Sequence, residues 1–183
     1  IQAELLKNYR ESLIKDKNYI NGINSIEISN LNFAYDDKIN LYKENINLKI
    51  NKGDHIGISG SSGSGKTTLI NVIIGLVKTD LGKIVYNEDF SNHIESFYKF
   101  ISYVPQDTIL FNDSIKNNLT FNDKKVDIVK LNKVIKICEL GSFINDLPLK
   151  LETNVGEKGL KISGGQKQRI GIARALYQDF DLL

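Results

Sequence analysis

The chain has 183 residues, enough for one domain with a full core or for one core and a small subdomain. Its 24 basic and 22 acidic residues nearly cancel, and a net charge of +2 without any basic run argues against a nucleic-acid partner. One cysteine, Cys138, excludes an internal disulfide framework; set among Val134, Ile135, Ile137 and Leu140 at helical spacing, it reads as an inert buried thiol, in keeping with a cytosolic compartment. No uncharged apolar run approaches the ~18–20 residues of a membrane span, and no signal peptide is expected in these residues. The sequence opens on Ile1 and contains no methionine, so a piece of a longer product is expected, with any membrane association supplied by other segments.

In chain order, residues 1–24 carry a partial helical stripe of Leu5, Leu6, Tyr9, Leu13 and Ile14 among charges, ending near Asn21-Gly22. Two readings stay open: a linker helix docked on a surface, and a connector from a preceding membrane domain. From Ser25 the period changes, and Ile26, Ile28, Leu31 and Phe33 predict a strand with an irregularity at Ser29-Asn30. Ile46, Leu48 and Ile50 alternate cleanly before a turn at Asn51-Lys52-Gly53-Asp54. The short apolar Ile56-Gly57-Ile58 predicts a buried strand, followed by a glycine-rich loop and a helix from about Thr67 to Leu76. Lys83–Tyr86 and Ile101–Val104 are further strand candidates. Asp127–Leu140 predicts a helix with Ile128, Leu131, Val134, Ile135 and Cys138 on one face, and Ser163 precedes a last helix, Gln166–Tyr177. Alternation of strands and helices predicts an α/β fold with a mainly parallel sheet.

The loop Gly60-Ser61-Ser62-Gly63-Ser64-Gly65-Lys66-Thr67 satisfies the Walker A pattern G-x-x-x-x-G-K-[ST], with an apolar strand before it and a helix after it. Its glycines allow backbone geometries that turn successive N–H groups inward on a phosphate, and the following helix adds its positive end. Lys66 is expected to reach the β- and γ-phosphates of a nucleotide, and the Thr67 hydroxyl to ligate Mg²⁺. Gly60, Ser61, Gly63, Ser64, Gly65, Lys66, Thr67 and Thr68 are the candidate binding residues. This motif alone predicts nucleotide binding without saying what work follows.

Ile162-Ser163-Gly164-Gly165-Gln166 offers a second hydroxyl, unhindered N–H groups and a helix start. Read alone it is either an anion-binding surface or a capped helix after a tight turn. Taken with the Walker loop it resembles the Leu-Ser-Gly-Gly-Gln signature of ABC proteins, and the resemblance covers nearly all of residues 25–183. Tyr103-Val104-Pro105-Gln106 resembles the family's Q-loop, Tyr35 its adenine-stacking aromatic, and Thr153-Asn154-Val155-Gly156-Glu157-Lys158-Gly159 the segment before the signature in exporters. The resemblance implies a P-loop NTPase core with a mainly parallel sheet, a small antiparallel β-subdomain and an α-helical subdomain at about 107–165. It also implies ATP and Mg²⁺ as cofactors, with Gln106 near the metal and the attacking water. Ser163, Gly164, Gly165 and Gln166 would face ATP held by a second, head-to-tail nucleotide-binding domain. The transmembrane domain of the same transporter would be a further partner, met through Gln106 and Glu157, at the cytoplasmic face of a membrane (plasma or inner membrane in a bacterium).

Ile162 replaces the usual leucine and Phe180 a frequent proline. Asp181-Leu182-Leu183 looks like the opening of the Walker B strand, so the Walker B aspartate, the catalytic glutamate and the switch histidine are not among these residues. The expectation is therefore an ATPase in the parent protein and poor turnover by these residues alone. Two alternatives to an export ATPase are a catalytically degenerate regulatory ABC domain and a soluble ABC ATPase outside transport. Compact motif spacing and absent cysteine clusters speak against the repair type of the latter.

Overall fold

The computed structural model describes residues 22–34, 41–42, 44–79, 81–87 and 94–183. The predicted connector helix at 1–24 lies outside them except for residues 22–24, and Tyr35 also falls outside. The chain divides into two units, Ile1–Phe100 and Ile101–Leu183.

In the first unit, strands β1 (Ser25–Leu31), β2 (Ile46–Asn51) and β3 (Lys83–Tyr86) form an antiparallel sheet in the order β2-β1-β3. Period-two alternation sets the register: Ile26 faces Ile50 and Ile28 faces Leu48, which puts Ile26, Ile28 and Leu31 on the buried side. The pairing slips between Ile28 and Leu31, at the predicted irregularity, where Asn30 adopts φ 50° and its N–H is taken by the Asn47 side chain at 2.7 Å. Helix α1 (Lys66–Ile73) buries Val72 and Ile73, and the Tyr86 hydroxyl donates to the Ile73 carbonyl while its ring stacks on Phe97 at 4.8 Å. Phe97 lies in a 3₁₀ segment, Ile94–Phe100.

Ile56-Gly57-Ile58 is not a strand here. It has no ladder partner among the described residues, and Ile56 and Ile58 are 48% and 38% exposed. An apolar run becomes a buried strand only when neighbours bond its backbone on both sides, which local sequence does not supply.

The second unit is mainly helical. Helix α2 (Ile115–Thr120), α3 (Ile128–Ile137), α4 (Gly141–Asn145) and α5 (Gly164–Tyr177) surround one core of Leu110, Ile115, Leu119, Leu131, Leu140 and Ile170, each at most 2% exposed. Each such side chain contributes about 1.5–3 kcal/mol on burial. Side-chain caps start three of these helices: Ser114 accepts from Asn117 N, Asp127 from Lys130 N and Ser163 from Gln166 N. On α3, Leu131 and Val134 are buried and Cys138 follows them inward, but Ile128 is 57% exposed, because it sits in the first turn beyond the reach of the core. The expected strand at Ile101–Val104 is reduced to one parallel bridge between Ile101 and Leu182, with Ser102 N donating to Leu182 O at 2.8 Å. Parallel pairing among the described residues is limited to that bridge. No helix among them is long and apolar enough to cross a membrane.

Candidate functional site: a glycine loop and a second helix start

The glycine loop enters helix α1 through three positive φ angles, 157° at Gly60, 77° at Gly63 and 86° at Gly65. These conformations turn the loop back on itself, with Ser64 N donating to Ser61 O at 3.3 Å. Gly65 is required twice over, since a Cβ there would also come within 2.6 Å of Leu41 Cδ2 and 2.9 Å of Tyr42 Cε1. The N-cap position, Gly65, has no side chain to cap α1, and no acidic residue stands in the first turn. The positive end of the helix dipole is thus not neutralised by a side chain and favours an anion at the loop. Lys66 Nζ donates to Gly60 O at 3.0 Å and Ser61 O at 2.8 Å, which holds its charge over the loop. Thr67 is exposed and Thr68 half-buried in the same turn. The predicted residues Gly60 through Thr68 are therefore brought together, and their donors, lysine and hydroxyl fit a phosphate chain with a metal ion beside it.

Ser163-Gly164-Gly165-Gln166 opens α5 with a reciprocal capping box. Ser163 Oγ accepts from Gln166 N at 3.3 Å and Gln166 Oε1 accepts from Ser163 N at 3.0 Å. Gly164 and Gly165 have no positive φ, and a Cβ on either would meet open space. Nothing among the described residues near them demands glycine at either position. Beside them a cavity of about 420 Å³ is rimmed by Ser163, Gln166, Arg169, Glu139 and Asp146. Arg169 and Glu139 form an exposed ion pair across it at 3.3 Å.

Gln106 is exposed in irregular chain of the second unit, whereas Lys66 and Thr67 belong to the first. Glu157 is exposed at the start of a 3₁₀ turn, Glu157–Gly159. The chain before that turn is anchored: Ile115 N donates to Thr153 O and Val155 N to Asp113 O, each at 3.0 Å, with Val155 buried.

Two features escaped sequence reasoning. Tyr42 donates its hydroxyl to Gly65 O at 2.9 Å, a contact across 23 residues that no spacing rule anticipates. Arg174 fans out to Asn118 O at 2.8 Å, Ile109 O at 2.9 Å and Asn118 Oδ1 at 2.9 Å, and stacks near Phe111 and Phe121 at 5.4 and 5.1 Å. Burial lowers the Arg174 pKa, and the three acceptors compensate its desolvation. The cluster leaves Ile109, Phe111 and Phe121 exposed by 70%, 53% and 52%.

A glycine loop ahead of an uncapped, lysine-bearing helix start, in a chain of α/β content, has the form of a phosphate cradle. The family described as ABC transporter matches residues 43–183. A candidate export ATP-binding/permease protein of Rickettsia typhi is 43% identical over 155 residues, 83% of this chain and 27% of that protein. An ATP-dependent lipid A-core flippase of Syntrophus aciditrophicus is 38% identical over 160 residues, 86% of this chain and 26% of the relative. Among solved structures, a bacterial Atm1-family ABC exporter with ATP bound superposes with a TM-score of 0.79 at 29% identity, over 88% of this chain and 29% of that one. This chain belongs to the ABC transporter family, and it spans little more than a quarter of the length of the relatives it matches.

Proposed function

We propose that these residues are the ATP-binding and ATP-hydrolysing part of an ABC exporter, whose nucleotide-driven closure powers translocation of a substrate across a membrane. The observation that carries this reading is the Walker loop, in which three positive-φ glycines, an uncapped α1 and Lys66 converge on one concave backbone. In that reading Lys66 and the loop N–H groups bind the phosphates, the Thr67 hydroxyl ligates Mg²⁺, and Gln106 orients water and metal. Tyr35 stacks on the adenine. Mg²⁺ supplies charge neutralisation at the phosphates.

A second, head-to-tail nucleotide-binding domain is the proposed visitor at Ser163-Gly164-Gly165-Gln166, and the open space over both glycines supports it. The transmembrane part of the same protein is the proposed partner of Gln106, Glu157 and the exposed Phe111 and Phe121, at the cytoplasmic face of the membrane. The helical subdomain is proposed to lie at about 107–165, with residues 1–24 as the connector. A parallel P-loop sheet is proposed beyond the antiparallel sheet of the first unit, and the parallel Ile101–Leu182 bridge supports it.

Titration with a fluorescent ATP analogue and Mg²⁺ tests the nucleotide reading. Saturable binding by the wild type is expected to weaken at least about tenfold in Lys66→Ala, the value of a charge-assisted hydrogen bond to phosphate. Equal affinity in the two proteins refutes it.

A further inference from the structure

We infer that Tyr42 is a positioning residue of the phosphate loop, aiming the Lys66 N–H through the carbonyl of Gly65; this rests on the nucleotide-binding reading above. The peptide between Gly65 and Lys66 is planar and trans, so fixing its carbonyl fixes its N–H in the opposite direction. Gly65 O accepts from Leu69 N at 2.8 Å along the helix and from the Tyr42 hydroxyl at 2.9 Å from the side. Two bonds from different directions leave the plane little freedom to rotate. A single helical bond would leave more, and Gly65, in the left-handed region without a side chain, has no rotamer of its own to resist it.

The phenol is itself held in place. Buried Asn32, 3% exposed, follows β1 and grips the backbone of Tyr42 at both ends: its Oδ1 accepts from Tyr42 N at 3.2 Å and its Nδ2 donates to Tyr42 O at 3.1 Å. Asn32 is in turn fixed by its own backbone, with N donating to Leu81 O at 3.0 Å and O accepting from the Thr79 hydroxyl at 2.9 Å. Leu41 N donates to Phe33 O at 2.6 Å, and Leu41 and the Tyr42 ring fill the space that a Cβ on Gly65 would need. The sheet end thus sets the amide that closes the cradle, through Asn32 and Tyr42. A loop whose N–H groups are pre-aimed binds phosphate without a further ordering cost.

The experiment measures MgADP affinity of the full chain by calorimetry, the ¹³C line of the Gly65 carbonyl in the nucleotide-free protein, and its melting midpoint. Tyr42→Phe keeps the ring and the Leu69 bond and removes only the hydroxyl. The expected result is an affinity loss of about fivefold, the worth of one hydrogen bond, with a displaced Gly65 line and an unchanged melting midpoint. Tyr42→Leu, which also loses the ring, is expected to bind no better than Tyr42→Phe. Wild-type affinity in Tyr42→Phe overturns the proposal, and so does a loss accompanied by a lowered melting midpoint, which would make the hydroxyl merely structural. Lys66→Ala, run alongside, separates the two readings. If wild type binds and Lys66→Ala does not, a silent Tyr42→Phe refutes the positioning role alone; if wild type and Lys66→Ala both fail to bind, the nucleotide reading falls and takes this one with it.

Discussion

The two units differ in how their helices start, although α4 in the second also lacks a side-chain cap. In Ile101–Leu183 three helices begin on a side-chain cap, and the core beneath them reaches 0% exposure at Leu119, Leu140 and Ile170. In Ile1–Phe100 the helix that follows the glycine loop begins without a cap, and every residue from 51 to 64 is exposed. Capping satisfies helix-terminal N–H groups internally and adds about 1 kcal/mol to the fold. Leaving a start uncapped forgoes that contribution. Ser163 stands between the two cases, since its box satisfies the first turn while the bare glycines beside it remain open to an outside surface. Two helix starts, at Ser114 and Asp127, are simply capped within the fold, the one at Gly65 is left uncapped, and the one at Ser163 is capped beside open glycines.

The largest expected effect breaks or sharpens that contrast directly. Leu119→Ala removes a fully buried side chain from the helical core and should cost about 3 kcal/mol, read by urea unfolding with far-UV circular dichroism. Ile56→Ala, at a half-exposed apolar position of the first unit, should cost no more than about 0.5 kcal/mol. Equal costs would mean that Ile56 is packed in solution and that the contrast between the units is false.

Next in size is Arg174→Lys, which keeps the charge and loses the fork that serves Asn118 and Ile109. Asn118 would retain its bonds to Phe111 N, Phe111 O and Ser114 O, so a loss of about 1–2 kcal/mol is expected rather than collapse. The same unfolding curve checks it, and a neutral outcome would make the fork dispensable.

What could be read in the sequence was local. The glycine loop, the Ser163 cap, the Asp127 helix start and the Ser29-Asn30 irregularity each depend on residues within one or two turns of one another, and each stands in the structure. Ile56–Ile58 was misread because strand burial is decided by neighbours far along the chain. Ile128 stands on the predicted helix yet stays exposed, because helical periodicity does not say where the core stops. Tyr42 against Gly65 and Arg174 against Asn118 join residues 23 and 56 positions apart, and no pattern of spacing brings them together. The candidate site was thus legible as a motif, while the contacts that stiffen it were not.

The smallest effect is electrostatic and again differs by unit. Burial raises the pKa of Tyr86, with a further rise from neighbouring Tyr98, and burial raises that of Cys138, partly opposed by Arg169. Both acids are neutral when protonated, so a raised folded value means that the native state keeps a proton the unfolded chain has already lost. Stability is then unaffected well below the unfolded pKa and falls as pH climbs through and beyond it. For Cys138 the fall begins near about pH 8.5, and for Tyr86 near about pH 10, where half of the unfolded phenols are ionised and the loss is about 0.4 kcal/mol. Tyr86→Phe should therefore flatten the decline above pH 10 and leave the one near 8.5 in place, as read from melting midpoints at closely spaced pH values. A decline unchanged in Tyr86→Phe would mean that the phenol reaches water, and that the packing of β3 against the end of α1 is looser than its hydrogen bond to Ile73 implies.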